Sequence, residues 1–268
     1  MSVKNTNNIY ISDITIIPKT ITENGVYNAP ADDAIGYNPV TVDVDTKTPY
    51  NEGFEAGKQA EYDTFWNDYQ NNGNRINYSY GFYGIGWNNI TFKPKHNIKS
   101  TDCTYMFQNC NITNLKELLE KQNVILDTSK CTRFTNMFNA SHCNVLPTID
   151  MSSAMTSGLM TNVFSSCPIH TIEKLILPNP TTDFPSSFLV NSSLENVVFE
   201  GTVQRNGFNI QWSTKLTKES ITSLIGCLSD ITTGLTVTLS KTAKENAFTA
   251  EEWATLIATK SNWTIALA

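Results

Sequence analysis

A degenerate repeat fills the middle third of this 268-residue chain and limits what the chain can fold into. Four segments place an aromatic or Met-Phe element just before a short run of spaced aliphatic residues. They are Met106-Phe107 with Ile112 and Leu115, Met137-Phe138 with Leu146, Ile149 and Met151, Val163-Phe164 with Ile172, Leu175 and Leu177, and Phe188 with Leu194, Val197 and Phe199. The Phe positions lie 31, 26 and 24 residues apart, and the run centres Leu115, Ile149, Leu175 and Val197 lie 34, 26 and 22 apart. Two landmarks recurring in one order at this period predict a solenoid, in which each unit buries its apolar side only against its neighbours. Such a fold offers an extended surface, which points toward recognition and away from catalysis.

Flanking patterns divide the chain further. Residues 1–48 read as a short β-module: Ile14-Thr15-Ile16-Ile17 and Val40-Thr41-Val42-Asp43-Val44 are strand-like, with a turn at Glu23-Asn24-Gly25. Residues 49–73 read as a connecting helix that starts at Pro49 and stops at Asn71-Asn72-Gly73. Its aromatic face, Tyr50, Phe54, Phe65, Trp66 and Tyr69, supplies the candidates for anchoring or self-association; ordinary packing onto the next domain is the plainer reading. Residues 74–201 form the repeat domain. Its first part, rich in Tyr, Phe and Gly, is expected to be an atypical N-terminal cap, with Trp87, Ile90 and Phe92 echoing a repeat strand. An aromatic sugar-binding platform is the sharper alternative for that segment. Leu115, Leu118 and Leu119 suggest a helical insertion within the first, longest gap.

Residues 202–268 read as an αβ C-terminal cap. Thr217 opens a helix that buries Ile221, Leu224, Ile225 and Leu228. Thr249-Ala250-Glu251-Glu252 is a capping box, and Leu235–Leu239 and Trp263–Leu267 alternate as strands. The expected fold class is therefore α+β: a short N-terminal β-module and helix, then an irregular solenoid with an αβ cap.

Charge and chemistry narrow the function. The net charge of -6 carries no basic footprint for nucleic acid. No apolar run approaches the roughly 20 residues that cross a bilayer, and Met1–Asn8 lacks the apolar region of an export signal. Six cysteines (103, 110, 131, 143, 167 and 227) form no Cys-x-x-Cys pair, and His96, His142 and His170 complete no zinc spacing. They read as small buried residues at turns of the repeat. Gly81-x-x-Gly84-x-Gly86 lacks a phosphate-loop lysine, and no G-x-S-x-G elbow occurs. Asp32-Asp33 falls short of a calcium ligand set, and pairs such as Glu61 and Asp63 read as solvated charge. The reading therefore assigns no catalytic residue, no metal ligand and no cofactor.

Two resemblances extend this reading. Asp127-Thr128-Ser129-Lys130-Cys131-Thr132-Arg133-Phe134-Thr135-Asn136-Met137-Phe138 resembles the signature of bacterial surface leucine-rich repeats of the BspA-like kind. Thr161-Asn162-Val163-Phe164-Ser165-Ser166-Cys167 is a second copy, and the likeness covers roughly residues 87–201. The N-terminal segments Ile21–Pro30 and Gly36–Val44 resemble segments of structural proteins from phages and prophages of Gram-positive bacteria. The helix that follows and the closing Lys260-Ser261-Asn262-Trp263-Thr264-Ile265 are similar to parts of the same proteins. The resemblance implies a non-enzymatic virion component made in the host cytoplasm, on the tail, baseplate or a fibre. Its implied partners are other virion proteins, copies of itself, and a host cell-surface glycan or protein. A bacterial cell-surface adhesin, a tail enzyme that degrades wall material, and a head fibre or capsid decoration protein remain alternatives.

Overall fold

The computed structural model describes residues 75–86, 91–94 and 96–268, and the backbone of three short strands before them. The anchor candidates Tyr50, Phe54, Phe65, Trp66 and Tyr69 lie outside the described residues. The described part is α+β, with four helices and several small sheets.

Of the early strands, β2 (Val26–Tyr27) pairs antiparallel with β3 (Val42–Asp43), directly after the Asn24-Gly25 signal. The strand β1 (Ile14–Thr15) pairs antiparallel with β5 (Thr91–Phe92) instead. That pairing corrects the reading of Phe92 as part of a repeat strand, since every pairing within the repeat region proper is parallel.

Two parallel arrays follow. In the first, β4 (Ile76–Asn77), β6 (Ile98–Asp102) and β7 (Leu126–Asp127) lie in that order. In the second, β10 (Thr171–Ile176) joins β11 (Asn196–Glu200) on one side. On its other side lie β8 (Val145–Leu146) and β9 (Ile149–Asp150). The Thr128 hydroxyl links the arrays: it donates to the Asp150 carbonyl at 2.8 Å and accepts from the Asp150 N–H at 2.9 Å. The expected aliphatic spacing thus forms strands at Ile149, Leu175 and Val197, all buried.

Leu115 departs from that scheme. It begins α1 (Leu115–Lys121), so the helical insertion expected from Leu115, Leu118 and Leu119 is present while the strand centre expected at Leu115 is not, and only the preceding Asn114 bridges to Val145. Asn114 caps α1 by accepting the Glu117 N–H at 3.0 Å, and Leu115 and Leu119 are the buried face. Asn123, in the left-handed conformation with φ 53°, ends it. The Val124 N–H then returns to the Leu119 carbonyl at 2.9 Å, closing the exposed end of the helix.

The C-terminal part covers the last strand. α2 (Lys218–Cys227) starts at Thr217, as expected, and packs on β11. β12 (Leu235–Leu239) pairs in parallel with β13 (Trp263–Leu267). Between them run α3 (Lys241–Ala247) and α4 (Ala250–Ala258), α4 closed by the Thr249/Glu252 capping box. The helix α3 was not anticipated, although Ser240 caps it in the ordinary way. Among the described residues, no helix is long and apolar enough to cross a membrane.

Candidate recognition surface

Four Phe residues each sit in a copy of one tight turn, and the turn explains which side chains reach solvent. Take Phe82, Phe107, Phe138 and Phe164 as reference. Two residues before each, the backbone is left-handed: Tyr80, Tyr105, Asn136 and Asn162 have φ between 55° and 58°. Two residues after each it is left-handed again, at Gly84, Asn109, Ala140 and Ser166. Non-glycine residues are rare in this region, so eight left-handed positions at fixed offsets, seven of them not glycine, mark one geometry used four times.

The alternation sorts the N–H groups. One set closes i to i+3 turns inside the unit, such as Gly81 N–H to the Tyr78 carbonyl at 2.7 Å and Met137 N–H to the Phe134 carbonyl at 3.0 Å. The other set points sideways to the next unit. Phe82 N–H reaches the Met106 carbonyl at 2.9 Å, Phe107 N–H the Met137 carbonyl at 2.8 Å, and Phe138 N–H the Val163 carbonyl at 2.9 Å. Bonding through alternate N–H groups joins the turns side by side through the main chain.

Entry to each of the first two turns is fixed by a side chain at the strand end, and the same bond recurs farther ahead of the third. Asn77, Asp102 and Asp127 each accept, on Oδ1, the N–H two residues on, at 2.8 to 3.0 Å. Asp150 does the same for Ser152 at 2.9 Å ahead of the Phe164 turn. Asp127 is also held by Arg75, whose Nη2 donates to Oδ2 at 2.7 Å. Burial alone would raise that carboxyl, but Arg75 and the Ser129 hydroxyl and amide overcome it and hold it below the usual carboxylate range.

Inside, the four rings stack: Phe82 on Phe107 at 5.1 Å, Phe107 on Phe138 at 5.5 Å, and Phe138 on Phe164 at 5.9 Å between centroids. The unit at Phe82 is one that sequence reasoning missed. The segment expected to be an atypical cap repeats the regular turn, with Gly81 where later units carry Met106, Met137 and Val163. Phe188 is a correction in the other direction. Asn162 N–H bonds to the Ser187 carbonyl, which puts Val190, not Phe188, at the position following Phe164. Phe188 packs instead with Phe184 and Phe208.

All six cysteines are buried and free. Cys110 and Cys143 approach to 3.5 Å between sulfurs, and burial pushes Cys167 up to about 12 and Cys227 up to about 11. Cys167 and Cys227 therefore stay protonated and serve as packing groups, whereas the hydrogen bond from Cys143 holds the Cys110 thiol below its ordinary value.

Outside, the turns present four positions per unit: the two residues after the first buried one, and the two that follow the Phe. None of these sixteen residues is buried and none is charged. They are Ser, Thr, Tyr, Asn, Gln, Gly and Ala only. The first units are aromatic: Tyr80 and Tyr83 are 41% and 39% exposed, and Tyr80 stacks on Tyr105 at 4.5 Å. Partial burial, then the neighbouring Tyr105, raise the Tyr80 phenol above its ordinary value. The later units are amide-rich, with Gln108 Nε2 donating to Asn139 Oδ1 at 3.1 Å. Charge gathers elsewhere, as at Lys174–Glu200 and Lys116–Glu120, both 2.6 Å. Among the described residues, no group of His, Cys, Asp or Glu is placed to hold a metal ion. Compared with known proteins, the chain matches no family model, no curated protein and no solved structure.

Proposed function

We propose that the chain is a non-enzymatic phage structural protein whose residues 74–201 form a leucine-rich-repeat-like solenoid displayed for attachment to a host surface or to other virion proteins. The observation that carries this reading is the fourfold turn, joined through the main chain and facing outward with an uncharged ridge of aromatic and amide side chains. A scaffold held by its backbone leaves its outer residues free to serve binding, and parallel stacking of units gives that binding surface length. The N-terminal segments Ile21–Pro30 and Gly36–Val44, by their likeness to phage structural proteins, supply the anchor, and the aromatic segment of residues 49–73 supplies self-association. Several copies in one particle raise avidity even when each contact is weak.

Immunoelectron microscopy of purified particles tests the placement: label at a discrete substructure is expected, and unlabelled particles would sink the reading. Light scattering on the full chain and on the Phe65→Asp/Trp66→Asp variant tests the self-association role of residues 49–73. An oligomer that dissociates in the variant is expected, whereas a monomer in both removes the assembly role. Turnover of host wall material by the purified chain would overturn the non-enzymatic assignment.

A further inference from the structure

We propose that the outer face of the first turns, built on Tyr80, Tyr83 and Tyr105, is a docking surface for a neutral, pyranose-based polysaccharide. The proposal deepens the attachment reading and rests on it, because it names what the displayed ridge binds.

The first argument is chemical. A pyranose ring offers an apolar C–H face and a rim of hydroxyls that both donate and accept hydrogen bonds. Exposed aromatic rings suit the face, and side chains that both donate and accept suit the rim. The ridge places these side by side: Tyr80 and Tyr83, ring centroids 6.1 Å apart, at one end, and Gln108, Asn136 and Asn139 in the turns that follow.

Charge supplies the second argument. Sixteen outward positions without one charged residue, in a chain that is 16% charged, leave nothing to pair with an acidic or basic ligand. Arg133 and Asp102, which pair at 4.0 Å, precede the turn positions in sequence and are not among the sixteen. An anionic polymer or a charged protein rim would find no complement here.

Spacing supplies the third. The turns repeat every 5.1 to 5.9 Å, judged by the rings stacked within them. This is comparable to the advance of one sugar unit along an extended β-linked chain, so a periodic ligand meets a periodic row of partners. The tyrosines are also held in place before any ligand arrives. Tyr80 lies against Tyr105 at an interplanar angle of 18°, and the Tyr80 backbone is tied to Thr104 through a 2.9 Å bond. Ordering costs on binding are correspondingly small.

The test is titration calorimetry of the full chain with cellohexaose, N-acetylchitohexaose and maltohexaose, with a hyaluronan hexasaccharide as the charged comparison. Saturable binding of at least one neutral hexasaccharide is expected, little changed by about 0.5 M salt. The double variant Tyr80→Asn/Tyr83→Ala should weaken it about tenfold, the scale of losing aromatic contacts. Asn is the right replacement because Asn136 and Asn162 already occupy the same left-handed position, so the fold survives and an unchanged melting temperature checks it. No binding to any neutral probe, binding of the charged one alone, or equal affinity in the variant overturns the proposal. So does a tyrosine-dependent dimer of the chain that binds no sugar, which would make a second copy the occupant. Particle labelling is read separately: a labelled particle with a sugar-silent chain loses only this surface. A sugar-binding chain absent from particles loses only the virion assignment.

Discussion

From residue 78 to residue 166 the chain repeats one turn four times, while from residue 184 to the end it meets each need with a different device. In the first region the rings of Phe107, Phe138 and Phe164 lie within 8° of parallel, and alternate N–H groups join each turn to the next. In the second, Phe184, Phe188 and Phe199 surround Phe208 edge-on or steeply tilted. There the side chains supply what the main chain does not. Ser220 and Ser223 hydroxyls accept the Val197 and Phe199 N–H groups at 2.9 and 3.1 Å, standing in for the strand that β11 lacks on that side. Buried Asn191 donates to the carbonyls of Phe164 and Cys167, ending the turn array. Lys260, Asn262 and Trp263 donate to the carbonyls of Leu228, Ser229 and Thr232. A main-chain ladder leaves outer residues free to change for recognition, whereas a boundary made by side chains ties particular residues to the fold.

The comparison breaks most sharply at Phe138. It is fully buried between two parallel rings, so Phe138→Ala should cost about 3–5 kcal/mol of unfolding free energy, lost ring contacts included. Urea titration of the variant measures this, and a loss below about 2 kcal/mol would mean the array closes around the gap and is not rigid. Gly207 is the counterpart in the second region. Its φ is 85°, and an added Cβ would fall 2.5 Å from the Phe184 carbonyl oxygen. Backbone strain and the clash together predict a loss of about 2–3 kcal/mol for Gly207→Ala. A thermal melt that is unchanged would show that the loop relaxes freely.

Next in size is the edge of β11. Ser220→Ala leaves the buried Val197 N–H without its acceptor and should cost about 1–3 kcal/mol. Hydrogen exchange at Val197 should speed up while exchange at Phe138, bonded to Val163 through the main chain, stays unchanged. Equal acceleration at both would erase the distinction between the two regions. The Arg75–Asp127 pair is a side-chain tie within the regular region, and Arg75→Met should cost about 1–2 kcal/mol at pH 7. Because the folded carboxyl is held below its unfolded value near 3.9, that stabilisation is present above roughly pH 4 and fades as the pH falls through the lowered folded value. Variant and parent should therefore draw closer in acid, and a gap unchanged at low pH would assign the loss to packing and to the Arg75 bonds with the Ser100 and Asp127 carbonyls.

The same contrast explains what could be read from the residues. The strands at Leu175 and Val197 and the capping box at Thr249 were legible because their side chains carry the signal: buried aliphatic spacing in one case, paired hydrogen bonds in the other. The turns were legible only through Met-Phe, so Gly81-Phe82 passed as a cap and Phe188 was assigned a phase its backbone does not have. Turn phase is set by left-handed residues, and Asn109, Asn136 and Asn162 were the available hint, Asn being tolerant of that conformation. Leu115 carried two readings, a strand centre and a helical insertion, and only the helix is found. Leu115, Leu118 and Leu119 fit helical spacing as well as a repeat strand, and the cap at Asn114 decides for the helix. The outward ridge was the hardest to foresee, because an uncharged face becomes visible only when residues from four units are brought to one side.

Ala140 gives the smallest and most discriminating test of that turn geometry. It holds φ 54° in the third turn, where the first turn has Gly84. A left-handed alanine costs roughly 1–2 kcal/mol in backbone strain, and glycine removes that cost while adding about 0.4–1 kcal/mol of unfolded-chain entropy. Ala140→Gly should therefore stabilise the chain by about 0.5 kcal/mol. The same change at Ala243, buried within a helix, should destabilise it by about 1 kcal/mol. Opposite signs from one substitution, read by paired urea titrations, would confirm that the repeated turn is held in a conformation its side chains do not prefer. If both lower stability, the ladder of sideways bonds does not impose the left-handed geometry, and the division between a backbone-built and a side-chain-built region fails.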